Sequence, residues 1–419
     1  MITRFTQNET ILSLVDRIPK DKRYSDIEDA DGYQYVDLVQ EGGGVLGIAL
    51  VGYTYILEKA GIRFMSLAGT SAGAINTLMM AGLGRIDEAK SEKILTILSQ
   101  QDLFEFVDGH KRIRKLIDRA IKKEGKLFWP ILRAAWPIYR ALKNRYGLNP
   151  GSVFETWITR ELKLNNIHTL KDLQELRKQL PMGLRDVRND KKIKKMEAKL
   201  AIIASDVTTH SKVEFPRMTE LYWSDPENVS PAKLVRASMS VPFFFDPFEV
   251  HNMPNAGSEN DEKWIEYAKY FGPVPSSAKF VDGGMLSNFP INVFHRPNGG
   301  IPRMPTFGVR LSTFRQKYNP TKSFMAFNGA MINTMRQIFD YDFLLRNPDY
   351  KKLICMIDAD QEFNWLNFNM TEEQQVKLFN LGAQKAVEFL ETFDWEGYIA
   401  IRKKVKRGVV IEEKETDKK

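Results

Sequence analysis

The stretch YQYVDLVQEGGGVLGIALVGYTYILEKAGIRFMSLAGTSAGAINTLMMAG, residues 33–82, decides the fold. Residues 33–40, with two tyrosines and two valines, read as a strand. Gly42, Gly43 and Gly44 follow. Residues 45–59 read as a helix, closed by Gly61. Residues 62–68 read as a second strand. Residues 69–73 turn sharply into another helix that runs to about Gly82. This alternation predicts an α/β fold with a mostly parallel central sheet covered by helices.

Working outward, residues 1–32 read as a polar lead-in. Residues 86–198 are mainly helical, with a basic middle at about 100–197 that reads as an insertion. Residues 199–205 return to strand. Ser230 caps a short helix with Pro231 at its first position. Residues 279–281, 306–311 and 352–358 read as further strands. Residues 324–339 and 371–393 read as helices. The organisation expected is a lead-in, a catalytic domain over 33–360, and a C-terminal helix with a charged tail over 361–419. From Arg402 onward the chain is expected to fray.

The chain has 419 residues, one cysteine and a net charge of +8. A single cysteine excludes a disulfide framework and a cysteine-based metal cluster. Cys355, in an apolar run, reads as a core residue. No signal-peptide pattern opens the chain, and its longest apolar run is too short to span a bilayer. A cytoplasmic protein is therefore expected, peripheral at membranes, with secretion by another route left open. The basic balance favours anionic partners. Lys191, Lys192, Lys194 and Lys195, and the run from Arg402 to Arg407, bring no nucleic-acid-binding motif, so no nucleic acid is expected.

Gly69-Thr70-Ser71-Ala72-Gly73 is G-x-S-x-G at a strand-to-helix turn. A nucleophilic serine there projects above the sheet edge, and the glycines let strand and helix approach. The same pattern also fits a plain tight turn. Gly42, Gly43, Gly44 and Gly47 match G-x-G-x-x-G, the dinucleotide fingerprint. That reading requires a carboxylate at the end of the next strand. Ala68, Gly69, Thr70 and Ser71 stand there instead, so an oxyanion hole built from backbone N–H groups is the better reading. For the base, two arrangements stay open. One is a serine–acid–histidine order from Ser71, Asp206 or Asp282, and His295; His110, His168, His210 and His251 sit in no readable motif. The other is Asp282 itself, at the end of a strand and before Gly283 and Gly284, acting with no histidine.

The three motifs in this order resemble the patatin-like phospholipase family. The resemblance covers about 33–85 and 198–312, including Val235 to Phe245 ahead of the aspartate. It implies a three-layer α/β/α domain and a Ser71–Asp282 dyad. The oxyanion hole would come from Gly42, Gly43, Gly44 and Gly47, with Gly69, Gly73, Gly283 and Gly284 in support. It implies fatty-acid release from membrane glycerolipids, with no cofactor and no metal. The family usually carries Arg or Lys where this chain has Leu46, which puts in doubt any help a loop cation gives. Two alternatives are a histidine-dependent esterase of the α/β-hydrolase class, and a silent or regulated protein that binds membranes or anions. An activating protein or nucleotide signal is a possible partner.

Residues 111–146 hold twelve Lys/Arg against Asp118 and Glu124, interleaved with aromatic residues. Lys122, Lys123, Lys126, Trp129 and Trp136 are the expected membrane contacts. Pro130 and Pro137 argue against one long helix.

Overall fold

The computed structural model describes residues 2–121, 128–254, 257–295, 300–313, 318, 321–322 and 324–406. The opening stretch folds as β1 (Gln34–Gln40), α1 (Gly47–Lys59), β2 (Ile62–Thr70) and α2 (Ala72–Gly82). Two helices of the insertion follow, α3 (Lys111–Ile121) and α4 (Phe128–Arg145). Then come β3 (Leu200–Asp206), β4 (Ser211–Phe215), α5 (Pro231–Ser238) and β5 (Ser277–Asp282). The chain closes with β6 (Thr306–Arg310), α6 (Phe324–Arg346), β7 (Ile354–Met356), α7 (Glu372–Thr392) and α8 (Trp395–Lys406).

Five strands run parallel in the order β7-β6-β1-β2-β3. Every residue of β2 is buried, as expected for a strand covered by helices on both faces. The sheet as a whole is mixed. Antiparallel strands are added on the β3 side, among them β4, β5 and Phe248–His251, and Ile27–Glu28 pairs antiparallel with the start of β1. Of these, the apolar core of β5 was legible in the sequence as 279–281, whereas β4 and Phe248–His251 are short and partly polar and were not.

One flank of β3 organises the site. β2 lies along its first half, with Thr70 opposite Ile203. β5 comes down antiparallel along its second half and ends with Asp282 opposite Ala204. β4 occupies the other flank, pairing from Ile202 to Asp206. The end of β2 and the end of β5 therefore abut beside adjacent residues of one strand. Residues far apart in sequence, Ser71 and Asp282, meet there.

The long helix α7 near the C-terminus is part of the same core. α7 starts at a capping box, Thr371 with Gln374. It crosses α1 so closely that a Cβ on Gly382 would lie 1.9 Å from the Ala49 carbonyl oxygen. The lead-in packs on α7 too, through Phe5 and Phe379, whose rings are 5.7 Å apart. Arg402, expected to fray, is buried and paired with Asp349 at 3.0 Å; residues 407–419 lie outside the described residues.

In the insertion, α4 runs through Pro137 without a break, contrary to the expectation from sequence. A proline there frees the carbonyl four residues earlier. That carbonyl, on Arg133, accepts a hydrogen bond from Arg112 Nη1 on α3 at 3.4 Å. Pro130 falls in the first turn, where no donor is required.

Candidate active site

Ser71 sits between β2 and α2 with φ 53° and ψ −117°. This conformation costs on the order of 1–3 kcal/mol for a non-glycine residue and has to be held in place. Its N–H donates to Ser238 Oγ on α5 at 2.9 Å. The glycines around it are sterically required. A Cβ on Gly69 would stand 2.4 Å from the Gly73 carbonyl, and one on Gly73 would stand 2.3 Å from the Gln40 carbonyl oxygen. Beneath the turn, Asn76 Nδ2 donates to Gln40 Oε1 at 2.6 Å, and Gln40 Nε2 to Thr77 Oγ1 at 2.9 Å.

Asp282 is buried at the end of β5. Its backbone N–H donates to the Ser240 carbonyl at 2.8 Å, and its Oδ1 accepts from Gly284 N–H at 2.7 Å. Burial pushes the carboxyl above the ordinary carboxylate range. Arg336, the Ser71 hydroxyl beside it and the Gly284 N–H pull it back. Gly283 packs on β3, where a Cβ would meet the Ile203 carbonyl oxygen at 2.1 Å. Ser238 and Ser240 thus hold the nucleophile turn and the Asp282 backbone from one short segment. That segment is itself fixed by buried Arg236, which donates to the Pro150 and Asp246 carbonyls at 2.5 and 2.9 Å.

The glycine loop is clamped at its entry. Glu41, 1% exposed, accepts from Arg310 Nη2 at 3.0 Å, from Leu311 N–H at 2.6 Å and from Ser312 N–H at 2.9 Å. Gly42 N–H donates to the Asn288 carbonyl at 3.0 Å, and Asn288 Nδ2 returns a bond to the Gly42 carbonyl at 3.2 Å. Gly47 N–H turns back to the carbonyls of Gly44 and Val45. These two glycines, expected among the oxyanion donors, have their N–H groups engaged, Gly42 by Asn288 and Gly47 within the loop. Among the described residues the N–H groups of Gly43 and Gly44 make no hydrogen bond. Gly44 has φ +56°, and a Cβ there would strike the Trp365 carbonyl oxygen at 2.3 Å. The loop is pinned to that same carbonyl by Val45 N–H at 3.0 Å.

Ser71 and Gly44 border a cavity with about 790 Å³ of empty space, part of it open to solvent. Its walls are apolar, among them Ile75 and Met79 on α2, Phe106, Trp157, Trp365 and Phe368. Phe368 stacks on Phe244 at 5.6 Å, and neighbouring Asn369 bonds Asp118 of α3 at 2.7 Å. The basic insertion is thereby tied to a wall of the cavity.

Among the described residues, no histidine lines this cavity. His295 bonds the Tyr350 hydroxyl at 2.8 Å and packs on Phe343, while burial and then Arg402 lower its pKa. Asp206 caps its own turn, accepting from Thr208 N–H at 2.8 Å and from Thr209 Oγ1 at 2.6 Å. The serine–acid–histidine arrangement through His295 is not assembled.

Residues 38–295 match the family model of the patatin-like phospholipases. The chain belongs to that family. As a patatin-like phospholipase it is a lipid acyl hydrolase. A relative is the uncharacterized protein YqhO of Bacillus subtilis (strain 168), 29% identical over 86% of this chain and 100% of its own length. The crystal structure of VipD from Legionella pneumophila aligns over 91% of this chain and 73% of that one, with 16% identity and a TM-score of 0.38.

The motifs of this patatin-like chain lie together, but several neighbours escaped the sequence. Glu41 is an acid directly before a glycine cluster, a signal that was available. Asn288, Arg336 and Trp365 carried none. They approach from segments with no local pattern.

Proposed function

We propose that the protein hydrolyses membrane glycerophospholipids at an acyl ester, with Ser71 as nucleophile and Asp282 as base. The observation that carries this reading is a strained serine lining an apolar cavity, with a buried carboxylate beside it. An acyl chain fits such walls, because burying its methylenes is favourable at about 0.8 kcal/mol each. The Ser71 proton passes to Asp282 as Ser71 Oγ bonds the ester carbonyl carbon. The carbonyl oxygen takes up the negative charge and meets the Gly43 and Gly44 N–H groups. The bond to the lysolipid oxygen then breaks, and that oxygen takes the proton from Asp282. Water attacks the acyl-serine, giving its proton to Asp282. The fatty acid leaves, and the proton returns to Ser71 Oγ. This chemistry requires no metal. The test is lipid mass spectrometry of vesicles treated with wild type and with Ser71→Ala. Fatty acid and lysolipid are expected from wild type alone.

The cavity also sets chain length. Ile75 and Met79 lie one and two turns along α2 from Ser71, about 6 and 12 Å down its axis. Ile75→Trp should confine hydrolysis to short acyl esters, whereas Met79→Trp should spare medium chains and exclude long ones. Rates on nitrophenyl esters of graded length check this. Equal losses at every length would refute an acyl role for the cavity.

Membrane contact is assigned to α4. Ala134 and Ala141 are buried, while Ile131, Leu132, Trp136 and Tyr139 are exposed, Trp136 by 70%. Exposed Arg133, Arg140 and Lys143 share the helix. Aromatic bodies with cations suit an anionic lipid surface, each cation there adding about 1 kcal/mol. Lys122, Lys123 and Lys126 lie outside the described residues, as does the side chain of Trp129. Arg133→Glu with Arg140→Glu should weaken sedimentation with anionic vesicles by more than about tenfold. Unchanged binding would sink this assignment. No helix among the described residues is long and apolar enough to cross a membrane.

A further inference from the structure

A base has to be ionised to accept a proton, and Asp282 is buried where ionisation is disfavoured. The charged groups around it can be followed element by element. On β3, Asp206 is committed to its own turn and to the Tyr222 hydroxyl. On α5, Arg236 is spent on Ser240, Pro150 and Asp246. At the glycine loop, Glu41 is paired with Arg310, and position 46 carries a leucine. On α6, Asp340 accepts from Ser287 Oγ and Phe289 N–H, both at 2.8 Å. Four residues earlier on α6, Arg336 is the cation whose field acts on Asp282 among the described residues.

Arg336 also touches what surrounds the dyad. Its Nη2 donates to Asn288 Oδ1 at 2.7 Å, and Asn288 is the residue that clamps Gly42 on both sides. Its guanidinium lies 5.9 Å from the Trp365 ring centroid, and the Trp365 carbonyl holds Val45. A Cβ on Gly284 would fall 2.7 Å from Asp282 Oδ1 and 3.1 Å from Arg336 Nε. The missing side chain at Gly284 leaves room for cation and carboxylate to approach.

We propose that Arg336 is a positioning residue of this site, supplying the counter-charge to Asp282 and bracing the glycine loop through Asn288 and Trp365. A helix distant in sequence thereby delivers a cation that the loop, with Leu46, does not carry. The proposal rests on the Ser71–Asp282 reading.

The experiment is the pH profile of kcat/KM for fatty-acid release by wild type, Arg336→Gln and Arg336→Lys. Phosphonylation of Ser71 by a fluorophosphonate, followed over the same pH range, reports on variants too slow to turn over. Removing the cation should move the acid limb of both profiles up by about one pH unit or more. Arg336→Lys should restore the limb while kcat stays below wild type, because a lysine keeps the charge and loses the planar fork on Asn288. An Arg336→Gln variant slowed equally at every pH, with its acid limb unmoved, would overturn the proposal. Loss of labelling in both variants at every pH would overturn it too. Failure of the underlying reading looks different: wild type would not be labelled at Ser71, or Ser71→Ala would keep its activity.

Discussion

Ser71→Ala and Asp282→Asn should each reduce fatty-acid release from phospholipid vesicles by roughly a thousandfold or more, as removal of a nucleophile or its base does in enzymes of this type. Their effects should not add, since the two groups act in one proton transfer. The variants separate in stability. Burial raises the Asp282 carboxyl in the fold, so the ionised form is the one that folding disfavours. An amide of the same shape removes that cost at pH 7, and Asp282→Asn should melt no lower than wild type. The difference should shrink as pH falls and vanish below the unfolded-state value of 3.8, where both side chains are neutral. Activity in wild type has the opposite dependence, falling as pH drops through the raised folded value. Thermal melts and vesicle assays over the same pH series measure both. An Asp282→Asn enzyme with wild-type turnover would remove aspartate from the mechanism.

Glu41→Ala should be among the most destabilising single changes in the chain. Glu41 and Arg310 are 1% and 3% exposed in their side chains, and the carboxylate also satisfies two backbone N–H groups and the Ser312 hydroxyl. Removing one partner of a buried pair leaves the other charge uncompensated, at a cost of about 3–5 kcal/mol. That is a large share of the roughly 5–15 kcal/mol by which a domain is stable. Glu41→Gln should lose less, because its amide oxygen still accepts from Leu311 and Ser312. Urea unfolding followed by circular dichroism measures the loss. Activity should fall further than the unfolded fraction explains, since Gly42 follows directly and Gly43 and Gly44 hang from the clamp. A Glu41→Ala protein within 1 kcal/mol of wild type would mean that the pair does not hold the loop.

Much of the fold was legible because it is local. β1, α1, β2 and α2 are consecutive, and their apolar runs and glycines lie within one short stretch. The helix opened by Pro231 and the α7 cap at Thr371 were readable for the same reason. The course of α4 through Pro137 was not, because the bond that compensates the proline comes from Arg112 on another helix. The end of the chain misled in a similar way. A run of cations reads as solvated tail until Asp349, distant in sequence, buries its first arginine.

At the site the division is equally physical. By itself the sequence determined which groups are present: a serine that must adopt a left-handed turn, an aspartate at a strand end, and glycines where side chains would clash. The residue types are written in the chain, whereas the groups those glycines make room for, among them the Gln40, Ile203 and Trp365 carbonyls, come from other segments. Only the tertiary structure decided that Ser71 and Asp282 meet, because that depends on β2 and β5 sharing one flank of β3. It also decided which loop donors stay open, since Asn288 engages the Gly42 N–H and Trp365 that of Val45. It decided what stands over the carboxylate, because a buried charge answers to whatever cation is near in space, and Arg336 arrives from a separate helix.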